Sequence, residues 1–210
     1  PWLKVDFKKE PLKYVQVVYE YILQGNIECD WVGQNNQVRK WYHVPWMHWR
    51  DPRDGNLGRE FINGLTRERD SKPYELGPGQ HDFVQNWAVG IYNQPGGFVV
   101  GEVWKDPNHP DPTKSEFPQG TVCGKLLFTA ADTVSVPYLK YAPQWMANIH
   151  TSVNEKFKKQ PKSMHLLQFD IAVRDSRADD GSGWVMGTLI YNGDAPGDNP
   201  WLKMVPAGLS

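Results

Sequence analysis

Between Pro11 and Gly25 the apolar residues recur at steps of three and four. Tyr14, Val15, Val18, Tyr19, Ile22 and Leu23 therefore share one stripe of a helix. Pro11 suits a first turn and Gly25-Asn26 a left-handed stop, so the spacing predicts a helix over 11–25. From residue 83 the period falls to two. Phe83–Tyr92 alternates with Trp87, Val89 and Ile91 on one side, and Phe98–Trp104 returns after a turn at Asn93–Gly97. Thr121–Phe128 and His165–Arg174 read as further strands, the latter with Leu167, Phe169, Ile171 and Val173 inward. Trp184–Tyr191 pairs back after the polar turn 175–183, and Val136–His150 reads as a short helix pair.

Residues 30–82 show no long period. They hold an aromatic cluster, Trp41–Trp49, bent at Pro45, followed by turn signals and a charged stretch ending at Asp70. At least five strands joined by hairpins predict a mostly β fold with minor α, an antiparallel β-sandwich or open barrel with an N-terminal helix and long loops. One domain over 1–210 is expected, with a helical segment at 1–30, an irregular region at 31–82 and a β-rich core at 83–210.

Composition narrows this further. The chain has 210 residues, enough to bury a core without metals or disulfides. Gly and Pro are abundant at 19 and 17, yet 10 Trp, 9 Tyr and 8 Phe exclude a disordered chain. A net charge of −1 argues against nucleic-acid binding and against adsorption to anionic membranes. No apolar run is long enough to span a membrane as a helix. Cys29 and Cys123 stand alone, without a C-x-x-C pair. In an extracellular setting one Cys29–Cys123 disulfide is expected; two buried thiols are the alternative.

Three constellations carry candidate chemistry. His43, Met47 and His48 offer imidazole and thioether ligands to copper or haem iron within an aromatic shell, or else simply pack a Trp-rich core. Arg59, Arg67 and Arg69 supply guanidinium forks for a carboxylate, a phosphate or haem propionates, although interleaved acids also predict internal ion pairs. Glu102 falls on the apolar side of the predicted strand 98–104, while Gln168, Asp170 and Arg174 share one strand face. Glu102 with Asp170 is then a conceivable glycosidase pair. No G-x-S-x-G, H-E-x-x-H, P-loop or G-x-G-x-x-G is present, and no reaction follows from motifs.

Several stretches resemble a family of secreted bacterial proteins described as cytochrome c family. They are Trp41–Met47, Gly58–Arg69, Asn86–Asn93, Phe117–Val122, Asp170–Ala178 and Val205–Leu209. The resemblance implies a periplasmic or extracellular setting and a role in haem-linked electron transfer beside a redox partner or a downstream haem segment. The C-x-x-C-H haem site expected of that family is absent between Pro1 and Ser210. The competing expectation is an extracellular domain that binds or hydrolyses carbohydrate, with Trp and Tyr as stacking platforms for a glycan or other small molecule.

Overall fold

The computed structural model describes residues 1–43, 47–48, 59–60 and 65–210, excepting the side chains at 47, 48, 59, 60, 156 and 157. Helix α1, Pro11–Leu23, forms where the apolar stripe predicts it, and all six stripe residues are buried. Its stop is polar as well as glycine-based. Gly25 takes φ +76°, and the Asn26 side chain donates to the Ile22 carbonyl at 2.7 Å, satisfying one of the open helix-end acceptors.

The fold is mostly β, as expected, and entirely antiparallel in its main sheet. Among the described residues eight strands take part: β1 (Trp41–His43), β4 (Leu65–Arg67), β5 (Asn86–Asn93), β6 (Val122–Thr129), β7 (Gln144–Ser152), β8 (Glu155–Arg174), β9 (Trp184–Tyr191) and β10 (Met204–Leu209). β2 (Met47–His48) and β3 (Arg59–Glu60) pair separately. The path runs β1-β5-β6-β8-β9-β10, with β4 also on β5 and β7 also on β8. His165 has Thr129 across one edge and Gln144 across the other, so β7 and β9 follow one another along the same side of β8.

Strand β8 spans 20 residues, too long to stay straight in a twisted sheet of this size. A register shift opposite Leu127/Phe128 inserts an extra residue, and both Leu166 and Leu167 are buried there. The bulge bends the strand. It also extends the expected inward set: Phe169, Ile171 and Val173 keep the alternation, Leu167 is buried as expected, and Leu166 joins the core as the register partner of Phe128. The first half of β8 forms a ribbon with β7. Pro161 is tolerated in that half because β8 is paired there on one side only.

Helix α1 lies across one sheet face. Gly124 and Gly187 flank Ile171 in a single cross-strand row, which lowers the sheet surface on either side of that side chain. A Cβ at Gly124 would come 3.3 Å from Ile22, and one at Gly187 would come 3.2 Å from Val15. The helix seats itself in the relief those two glycines leave. Tyr19 meets Phe169 edge-on at 4.9 Å, and Trp87, Ile91, Leu126, Phe128 and Leu189 complete one continuous core.

Two predicted elements differ. Phe98–Trp104 is not a strand; α2 occupies Gln94–Val103. The Asn93 side chain accepts from Gly96 N, Pro95 fits the first turn, and Gly96 and Gly97 let the helix press on Tyr92 and Tyr42. Val136–His150 is not a helix pair. It contains a 3₁₀ turn, Pro137–Leu139, and then β7, because β8 continues far enough to offer β7 a partner.

Candidate functional site

The sheet face turned away from α1 carries a row of polar side chains. Alternation places Gly90 and Tyr92 of β5, Cys123, Lys125 and Leu127 of β6, Gln168, Asp170 and Ala172 of β8, and Met186, Thr188 and Ile190 of β9 on that side. Register aligns Gly90, Lys125, Asp170 and Thr188 directly across four strands. Lys125 Nζ lies 3.2 Å from Glu68 Oε1, just beyond β4, and 3.7 Å from Asp170 Oδ2. Asp170 Oδ1 accepts from Gln168 Nε2 at 2.7 Å and from Thr188 Oγ1 at 2.8 Å. The three charged side chains are 26–34% exposed, which leaves them within reach of a ligand.

An aromatic wall bounds one end of this row. Phe117 stacks parallel to Tyr92 at 6.1 Å and edge-on to Trp184 at 5.4 Å. Its loop is tied to the sheet by Gly120 N donating to the Arg174 carbonyl and by Asn93 Nδ2 donating to the Gly120 carbonyl, both at 3.0 Å. Burial pushes the Cys123 thiol up to about 11 and the Tyr92 phenol well above its ordinary value. Met186 and Ile190 remain exposed beside Thr188. Hydrogen-bonding groups, an ammonium, two carboxylates and apolar surface thus converge on one open face. A cleft of about 550 Å³ between α1 and β10 offers mainly apolar walls, with Gln16 and Glu20 already bonded to each other at its rim. The sheet face is the better candidate.

The expected site residues fare differently. His43 lies in β1 with Nε2 2.8 Å from the Trp31 carbonyl oxygen, to which that nitrogen donates. Met47 and His48 pair with Glu60 and Arg59 through the β2–β3 backbone, but their side chains and that of Arg59 lie outside the described residues. Arg67 and Arg69 do not make a joint anion cradle. Arg67 gives Nη2 to both oxygens of Asp70 at 2.7 Å and Nη1 to His150 Nδ1, while Arg69 pairs with Glu75. Each guanidinium is spent on its own carboxylate. Glu102 sits on α2, so the alternation that grouped it with strand residues does not hold.

The expected Cys29–Cys123 disulfide is not formed; both thiols are free. Cys123 projects from the sheet face opposite α1, whereas Cys29 follows α1 and donates to the Asn26 carbonyl. The thickness of the sheet separates them, beyond the reach of a bridge. Among the described residues no three His, Cys, Asp or Glu side chains form a metal cluster, and no helix is long and apolar enough to cross a membrane. The alternation of His165–Arg174 places Asp170 and Gln168 on one face, and Glu68 is one of the interleaved acids expected to form ion pairs, but no local pattern joins them to Lys125 and Thr188. The period-two alternation of Val122–Thr129 carries the signal for Lys125, since that lysine opposes the inward set. Comparison of the chain with protein-family models, with curated proteins and with solved structures finds no match in any of the three.

Proposed function

We propose that the chain is the β-rich domain of a cytochrome-c-like protein working in the periplasm or outside the cell. Its open sheet face then receives a planar redox group, haem being the class that the resemblance implies, carried by a neighbouring segment or a partner. One observation carries this reading. Glu68 and Asp170, which flank Lys125, and Tyr92 and Phe117, which stack on each other on the same sheet face, come from four separate stretches that resemble the cytochrome c family proteins. The donor set suits such a group: Met186, Ile190 and Leu127 give apolar contact, Tyr92, Phe117 and Trp184 a wall, and Lys125 and Thr188 hydrogen-bond donors. Bound haem would supply one-electron transfer. Glu68 and Asp170 hold the Lys125 ammonium in place, and the excess negative charge of the three side chains favours the oxidised state of a nearby centre.

A second reading rests on the hydrogen-bond row itself. Gln168, Asp170 and Thr188 present alternating donors and acceptors, the chemistry that recognises sugar hydroxyls. Titrating the protein with haemin, and separately with soluble glucan and xylan oligosaccharides, distinguishes the two. Haemin binding tighter than about 10 µM, near −7 kcal/mol, with a Soret shift that Lys125→Met and Asp170→Asn alter, supports the redox reading. Oligosaccharide binding sensitive to the same substitutions replaces it with the second. Binding of neither, or binding indifferent to both variants, overturns the sheet face as the site.

A further inference from the structure

Arg67 and His150 stand 83 positions apart and join β4 to the far end of β7, next to the turn of the β7–β8 ribbon. Arg67 Nη1 lies 2.5 Å from His150 Nδ1, and Nη2 also reaches the Val153 carbonyl at 3.3 Å. A guanidinium has only N–H groups to offer and keeps its charge. Nδ1 must therefore present its lone pair, which makes this imidazole neutral with its proton on Nε2. His150 is 1% exposed, packs edge-on against Trp87 at 5.0 Å, and accepts at its backbone carbonyl from Gln85 Nε2. The Arg67 side chain is 6% exposed.

We infer that Arg67 and His150 form an acid-sensitive latch that holds the turn of the β7–β8 ribbon onto β4 and β5. A proton on Nδ1 removes the acceptor and sets imidazolium against guanidinium where little water screens them. Among the described residues, the titratable and charged groups facing the pair are few. The β4 side supplies Asp70, both of whose oxygens already serve Arg67. Strand β5 and the residue before it present only Trp87 and Gln85. Across the ribbon His150 is paired with Lys159, a further cation, and Glu155 lies at the turn opposite Ser152. Asp70 is committed to Arg67 through both of its oxygens. Acidification through the imidazole range, about 6.5, releases the ribbon turn while the rest of the sheet keeps its pairing.

Amide hydrogen exchange across residues 148–156 at pH 7.5 and pH 5.0, corrected for intrinsic rates, tests the latch. Protection there should fall about tenfold in acid, the effect of roughly one pH unit of coupled protonation, while β6 and β9 stay protected. His150→Gln keeps an acceptor for Arg67 but takes no proton, and should abolish the acid response. Arg67→Met should lower protection at pH 7.5 to the acid level of the wild type. Nitrogen-15 imidazole spectra of the wild type, which require no variant to fold, should show the Nε2–H form at pH 7.5. Unchanged exchange in the wild type, an acid response that survives in His150→Gln, or an Nδ1–H tautomer at neutral pH each overturns it.

Discussion

Tyr14 on α1 donates its hydroxyl to the fully buried carboxylate of Asp175 at 3.0 Å, bridging 161 residues of sequence. Arg177 grips the same carboxylate through Nε at 2.9 Å and Nη2 at 2.5 Å, and reaches on to the Val5 carbonyl at 2.7 Å. The helix, the N-terminal segment and the end of β8 are thereby fastened at one point. These hydrogen bonds, Arg177's first, hold Asp175 at about 2 although burial opposes them. The unfolded carboxyl titrates near about 3.9. Its stabilising contribution is complete above about pH 5, and about 2–3 kcal/mol of it is lost as pH falls through 4 towards 2. Asp175→Asn should flatten that part of the pH–stability curve and cost about 3 kcal/mol at pH 7. Urea titrations at stepped pH read both effects.

Gly124→Val and Gly187→Val should each cost about 1–3 kcal/mol by overpacking the seat of α1. The new methyls would meet Phe169 and Ile22 at the first position and Ile171 and Val15 at the second. Denaturant midpoints measure this, and a wild-type midpoint in either variant would mean that the helix is not held so close to the sheet.

Phe169→Ala should cost about 3–5 kcal/mol. The ring has no exposed surface and touches both Tyr19 and Trp31, so its removal opens a cavity between helix and sheet. A loss below about 1 kcal/mol in a reversible unfolding titration contradicts that packing.

Lys125→Met and Asp170→Asn should change stability by less than about 1 kcal/mol, because ion pairs this exposed contribute little. Their effect belongs to ligand binding. Thermal unfolding without ligand, run beside the haemin and oligosaccharide titrations, separates the two roles.

Unreduced, unfolded protein should take two alkyl adducts by intact mass. In the native state Cys29 should react first at pH 8, since burial pushes the Cys123 thiol up to about 11. Peptide mapping of a partial reaction assigns the order.

How much of this was legible in the chain follows from the range of each interaction. Helix α1 and strands β5, β6 and β9 were readable because each alternates against one core and so writes its period into its own residues. Helix α2 was misread since Phe98–Trp104 alternates by accident, and the deciding signal was the cap at Asn93 and the close packing of Gly96 and Gly97. Strand β7 was misread because a partner strand nearby, rather than its own pattern, makes it a strand.

The sequence by itself determined the mostly β class, the N-terminal helix, and the placing of Gln168 and Asp170 on one side of a strand. Those outcomes depend on local periodicity and on the fixed alternation of the pleat. Only the tertiary structure decided that Lys125 and Thr188 flank Asp170, that Glu68 reaches the same lysine, that Arg67 meets His150, and that the sheet stands between Cys29 and Cys123. Each of those facts depends on the register and packing of segments distant in the chain. That register is set by bulges, by glycine relief under a helix and by the fit of one core, which no local stretch of residues records.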